Sequence, residues 1–74
     1  MNNQKIVAII PSRMNSSRMP GKPLTLIRGI PMIEHVRRRV KLCRGFSKII
    51  VATCDKEIRN VILSYRGEVM MTSK

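Results

Sequence analysis

The sequence predicts an α/β fold, the βαβαβ half of a doubly wound parallel sheet. Three observations predict it. Short apolar runs rich in β-branched residues stand at 5–10 and 48–53, and a third apolar run stands at 68–71. The segments between the second and third of these, and before the second, carry apolar residues at helical spacing. Prolines and glycines separate each run from the next.

The elements follow in order. Lys5–Ile10 reads Lys-Ile-Val-Ala-Ile-Ile. Apolar residues at successive positions predict burial on both faces, as in a parallel sheet. Pro11 cannot donate to a ladder and stops the run. Residues 12–23 form a loop, broken by serines, Pro20, Gly21 and Pro23. Leu24–Ile30 is ambiguous and reads as a short extended turn ending at Gly29. Pro31 suits the first turn of a helix. Ile33, Val36, Val40 and Cys43 follow at spacings of three, four and three, which predicts one buried helical face. Arg37, Arg38, Arg39 and Lys41 fall mostly off that face, as a solvated surface. Gly45 ends the helix. Lys48–Thr53 is a second buried strand. Asp55 is placed to N-cap the next helix, which turns Ile58, Val61 and Ile62 inward and ends at Gly67. Glu68–Met71 is the third strand. Right-handed crossovers make the three strands parallel. Ligands in such sheets bind at the carboxyl ends of the strands.

Composition bounds the function. The chain has 74 residues, enough for one small domain. Its net charge is +11, from 15 basic and 4 acidic residues, and nothing before Glu34 is acidic. Such a field attracts polyanions: nucleic acid, anionic lipid or nucleotide phosphates. The imbalance also points to acidic sequence elsewhere. Two cysteines, Cys43 and Cys54, are too few for a disulfide framework or a four-ligand zinc site. They read as buried free thiols of a reducing compartment. His35 has no partner at catalytic or ligand spacing and reads as a helix-surface or packing residue. Met14, Met19, Met32, Met70 and Met71 read as core filler and loop plugs. The longest early apolar run, Ile6–Ile10, is far below the ~20 residues of a membrane span, so no membrane contact and a cytoplasmic location are expected.

The loop carries the chemistry. It reads PSRMNSSRMPGKP and holds Arg13, Arg18 and Lys22 with Ser12, Ser16 and Ser17, and no acid. Guanidinium forks take phosphate in bidentate fashion, and a lysine ammonium serves as a point charge. Converging with hydroxyl and backbone donors, they match a triphosphate. Gly21 allows the backbone to come close to a ligand. The prolines stiffen the loop and lower the entropy lost on clamping. Neither G-x-G-x-x-G nor G-x-x-x-x-G-K-[ST] is present. Charge and spacing alone leave a solvated basic loop open as the alternative. A nucleic-acid-binding module is a second one. The two aromatics, Phe46 and Tyr65, both lie outside the basic loop, which argues against stacking on bases.

The run VAIIPSRMNSSRMPGKPL, followed by GIPMIEHV, KIIVATCDKEI and GEVMMTS, resembles the opening of the 3-deoxy-manno-octulosonate (KDO) cytidylyltransferases. That family opens with apolar residues, P-A-R, a small polar stretch, R-L-P-G-K-P-L and later G-K-P-M-I-x-H-V. The resemblance runs from about Lys5 to the last residue. It implies the βαβαβ half of a Rossmann-like nucleotide-diphospho-sugar transferase fold, with residues 1–74 a single partial domain and the remainder absent. It implies that Arg13, Arg18 and Lys22 hold the triphosphate of CTP, with Arg13 and Lys22 catalytic and Lys22 on the α-phosphate. Ser16 and Gly21 belong to the same nucleotide-binding loop. Pro11 and Ser12 then lie near the nucleoside, and Met71, Thr72 and Ser73 near the cytosine. The implied reaction is CTP plus KDO giving CMP-KDO and pyrophosphate, for lipopolysaccharide synthesis, with Mg²⁺ as cofactor. The metal ligands lie beyond residue 74, none within this chain. A homodimer of the intact protein is implied as well. Acylneuraminate cytidylyltransferases share the fold and a similar loop, and an inactive truncated product is a further alternative. The chain alone is expected to be inactive. Two departures stand out: Ser12 replaces the family's Ala, and Cys54 takes the place of an Asp, which comes one later as Asp55.

Overall fold

The sheet is built on a register that places residue 7 beside residue 48. A computed structural model describes residues 5–15 and 21–73 of the chain. Strand β1 (Val7–Pro11) pairs in parallel with β4 (Lys48–Thr53), Val7 opposite Lys48 and Pro11 opposite Ala52. Strand β5 (Glu68–Met71) pairs in parallel with the other side of β4, Thr53 opposite Met71. The order β1-β4-β5 puts β4 in the middle. Helix α1 (Met32–Lys41) connects β1 to β4, and α2 (Lys56–Ser64) connects β4 to β5. The parallel α/β architecture expected from the sequence is present.

Both crossovers step in the same direction across the sheet. Right-handed connections therefore place both helices on one face. Ile10, Val51 and Val69 form one row across the three strands and pack with Ile33, Ile58 and Ile62 of the helices. Val51, Ile58 and Ile62 are fully buried. Side chains alternate along a strand, so the intervening row turns away from the helices. That row includes Val7, Ile9 and Met70, with 43%, 53% and 43% exposure. Burial on both faces was expected of the first strand. The structure corrects this for β1, because nothing among the described residues covers the second face. Met70 and Met71 are likewise exposed rather than core filler, while Met14 packs against the core.

Helix α1 corrects a second expectation. Its buried residues are Ile33, Glu34 and Arg37, while Val36 is 40% exposed and Cys43, beyond the helix end, lies on the surface. The helix is turned toward α2. Arg37 Nε and Nη2 donate to the two Glu34 carboxylate oxygens at 2.7 and 2.9 Å. Arg37 Nη2 also donates to the Tyr65 carbonyl at 3.2 Å, just past the last turn of α2. Helix ends leave carbonyls without partners, and this one is satisfied by a buried guanidinium. Arg38 donates to the same carboxylate at 2.7 Å and lies over the Tyr65 ring at 5.3 Å. Of the expected solvated arginines, Arg37 is therefore internal, 7% exposed. Burial pushes the Glu34 carboxyl upward, but the hydrogen bonds and charges of Arg37 and Arg38 outweigh it, so it titrates below its ordinary value.

The ambiguous stretch before α1 is a hairpin. β2 (Leu26–Ile27) pairs antiparallel with β3 (Ile30–Pro31). The turn residues Arg28 and Gly29 both have positive φ, 54° and 77°, the mirror-type turn that matches strand twist. The Ile27 carbonyl lies 2.8 Å from His35 Nε2, which ties the hairpin to α1. At the end of α2 the left-handed residue is Arg66 (φ 63°), with Arg66 N–H donating to Leu63 O and Gly67 N–H to Ile62 O. These two bonds form a Schellman cap. Gly67 matters for space: a Cβ there would sit 2.7 Å from Ile62 Cγ2 and 3.0 Å from Arg37 Cδ. No helix among the described residues is long and apolar enough to cross a membrane.

Two measurements check this packing. Gly67→Ala should lower stability by about 1–3 kcal/mol through overpacking, read from the denaturant midpoint. Arg66→Gly should raise it by about 1 kcal/mol, since the left-handed penalty is removed. The Glu34 contribution is complete above the ordinary glutamate value of 4.5 and is lost as pH falls through the lower folded value. Melting temperature measured downward from neutral pH should therefore decline below that point, and Glu34→Gln should flatten that part of the decline.

Candidate functional site

The carboxyl ends of the three strands share one edge, and the loop after β1 is tied to that edge at several points. Ser12 N–H donates to Ala52 O at 3.0 Å, extending the β1–β4 ladder. Met14 N–H donates to Asp55 Oδ2 at 2.9 Å. Gly21 N–H donates to Met14 O at 2.7 Å, closing the base of the loop. Gly21 takes φ 78°, a left-handed conformation that a side chain resists. Lys22 then opens a single 3₁₀ turn, Lys22–Leu24, closed by Leu24 N–H to Gly21 O and Thr25 N–H to Lys22 O.

The result is a cationic rim on an apolar hollow. Pro11, Ser12, Arg13 and Lys22 border a space of about 210 Å³ whose other walls include Ile10, Met32 and Ile33. Arg13 also borders a second hollow of about 250 Å³ with Asn15, Cys54 and Asp55. Arg13 and Lys22 are both exposed and free to meet a ligand from solvent. Two cations and the backbone of a closed loop, on a floor of low polarity, can hold a polyanion with an uncharged group attached.

The structure brings Pro11, Ser12, Arg13 and Lys22 together, with Gly21 adjacent in the chain. Met71 and Thr72 lie on the same edge, and Thr72 N–H donates to Thr53 O at 2.9 Å. They sit on the far side of β4, about 10 Å from β1 at the usual strand spacing, and border neither hollow. Ser16 and Arg18 lie outside the described residues.

Asp55 corrects the sequence reading. It stands at the N-cap position of α2, but its side chain makes no capping bond. Its carboxylate goes instead to Met14, 41 positions away. Its own N–H is held by Thr53 Oγ1 at 3.1 Å. Sequence reasoning missed this contact. The available signal was an acid in the first loop residues after the central strand, at the edge where ligands bind. The thiols need correction too: Cys43 is exposed, and Cys54 is half-buried, with its sulfur 3.9 Å from Asp55 Oδ2.

No three His, Cys, Asp or Glu side chains converge among the described residues. Glu34 is engaged by two arginines. The described residues thus offer no all-protein cage for a metal ion. Thiol exposure is directly measurable. With an aromatic disulfide reagent, Cys43 should react first and Cys54 about tenfold slower or more, because reactivity follows access; site-resolved mass spectrometry would read both.

Known proteins resemble this chain along nearly its whole length. An 8-amino-3,8-dideoxy-manno-octulosonate cytidylyltransferase of Shewanella frigidimarina is 49% identical over 69 residues, 93% of this chain and 28% of that protein. The protein of the same name from Shewanella pealeana is 48% identical over the same share. The chain thus spans little more than a quarter of the curated relatives' length, 28%. A solved CMP:2-keto-3-deoxy-manno-octonic acid synthetase, complexed with CTP, superposes with a TM-score of 0.88 at 42% identity, covering 93% of this chain and 29% of the other. The family described as Cytidylyltransferase matches residues 7–74, so the chain belongs to the cytidylyltransferase family.

Proposed function

We propose that this chain supplies the phosphate-binding part of a CTP-dependent cytidylyltransferase that acts on a 3-deoxy-manno-octulosonate-type sugar acid. The observation that carries the reading is the placement of Arg13 and Lys22 on one rim, with the amides of Ser12 and Met14 tied to the β4 side and Gly21 tied back to Met14. The names of the relatives and of the solved neighbour support the sugar class and the nucleotide.

In this reaction the anomeric hydroxyl oxygen of the sugar acid attacks the α-phosphorus of CTP. The bond from that phosphorus to the bridging α–β oxygen breaks, the hydroxyl proton passes to solvent, pyrophosphate leaves, and a CMP-sugar forms. The chain's part is to position and to stabilise charge. Arg13 and Arg18 hold the triphosphate. Lys22 faces the α-phosphate and offsets the charge that grows there. Ser16 and the backbone at Gly21 add donors. Pro11 and Ser12 lie against the nucleoside, and Met71 and Thr72 serve the cytosine end. Mg²⁺ is proposed as the companion ion of the phosphates. Use of the product in lipopolysaccharide synthesis, a homodimeric whole protein and a cytoplasmic location complete the reading.

The test is a titration of the 74-residue chain with CTP, followed by amide chemical shifts, with ATP and RNA as controls. CTP should shift Ser12, Arg13, Gly21 and Lys22. Arg13→Ala and Lys22→Ala should each weaken binding about tenfold or more, the scale of a lost charge-assisted hydrogen bond. Absence of any CTP response, or RNA binding that CTP does not displace, would defeat the proposal.

A further inference from the structure

The β4–α2 turn contains a carboxylate that, among the described residues, neither caps the helix nor forms an ion pair. We infer that Asp55 is a positioning residue for the phosphate-binding loop, its carboxylate holding the Met14 amide and so fixing where Arg13 stands. This rests on the reading of the loop given above and adds a residue to it.

The geometry is specific. Arg13 lies between two residues whose amides are both anchored to the β4 side of the sheet: Ser12 to Ala52 O and Met14 to Asp55 Oδ2. Met14 is held from its other side as well, its carbonyl accepting from Gly21 N–H at 2.7 Å. One residue thus joins the start of the loop, its end and the β4–α2 turn. Its side chain adds to the joint by packing against the core. Asp55 is itself fixed, because its N–H donates to the hydroxyl of Thr53, a residue of the central strand that is 1% exposed.

Electrostatics separates positioning from binding. A carboxylate beside Arg13 and Asn15 repels an incoming triphosphate, so its charge works against the ligand. Its hydrogen bond compensates by holding the guanidinium in place before the ligand arrives, which lowers the ordering cost of binding. The side chain makes no capping bond to the helix, so among the described residues its one hydrogen bond to a backbone amide goes to the loop. The acid thus serves the loop.

Substitutions at residue 55 distinguish the roles. Asn keeps an acceptor oxygen in nearly the same place and removes the charge. Ser keeps a good N-cap residue for α2 but falls short of Met14. Ala removes both. Two readouts are taken on the full chain: hydrogen exchange of the Met14 amide without ligand, and affinity for inorganic tripolyphosphate and CTP. Exchange at Val51 in the central strand reports that each variant is folded. Asp55→Ala and Asp55→Ser should speed Met14 exchange and weaken tripolyphosphate binding about tenfold each. Asp55→Asn should keep slow exchange and bind at least as tightly as the parent chain. If Ala, Ser and Asn all tighten binding alike, charge alone matters and the inference falls. It also falls if Met14 exchange is the same in all four proteins. Should the parent chain bind neither ligand, the functional reading fails instead, and Met14 exchange alone decides whether Asp55 holds the loop.

Discussion

The site depends on the parallel pairing of β1 with β4. That pairing sets Pro11 against Ala52, so the loop leaving β1 emerges beside the turn leaving β4. Both ties from the loop to the β4 side follow from it: Ser12 N–H continues the ladder, and Asp55 comes within reach of Met14. A parallel pair needs a long crossover between its strands. The hairpin and α1 supply it here, and the hairpin's contact with His35 holds the crossover against its own helix. A shift of one residue in this register would turn Ile10 from the helices and carry Arg13 to the wrong side of the edge.

A chain with a net charge of +11 must manage its own repulsion. One of its four acids, Glu34, is placed at the helix–helix contact with two guanidiniums on it. Buried charge is costly unless it is paired and hydrogen-bonded. Here both carboxylate oxygens and the Tyr65 carbonyl are satisfied, and no buried side-chain polar atom among the described residues lacks a partner. A second acid, Asp55, sits at the basic loop. Acids thus stand where basic segments must be held in one conformation, while Arg13 and Lys22 remain exposed to solvent.

Much of this was legible in the residues. Runs of Ile and Val marked the strands, and Gly and Pro marked their ends. The cations of the loop and its lack of acid singled it out as a candidate for a polyanion, with a solvated loop left open, and the nucleotide came from the resemblance of its motif. The misreadings share a cause. Helical spacing gave α1 an apolar face through Val36 and Val40, but Arg37 reaches the end of α2, and that partner lies 28 positions away. Apolar spacing cannot register such a bond. Two-faced burial of β1 failed similarly, since periodicity reports what a strand would bury and not what covers it.

The sequence by itself determined the order of the three sheet strands and two helices and the parallel sheet, and it singled out the cationic loop, because these rest on local backbone preference and on patterns read within one segment. Tertiary structure decided which side chains meet. It turned Glu34 and Arg37 inward, left Cys43 outside, gave Gly67 its steric reason and sent the Asp55 carboxylate to Met14. The contacts of Arg37 with Tyr65 and Gly67 and of Asp55 with Met14 join segments far apart in the chain. Their geometry exists only once strands and helices have docked, so no spacing within a segment could encode it.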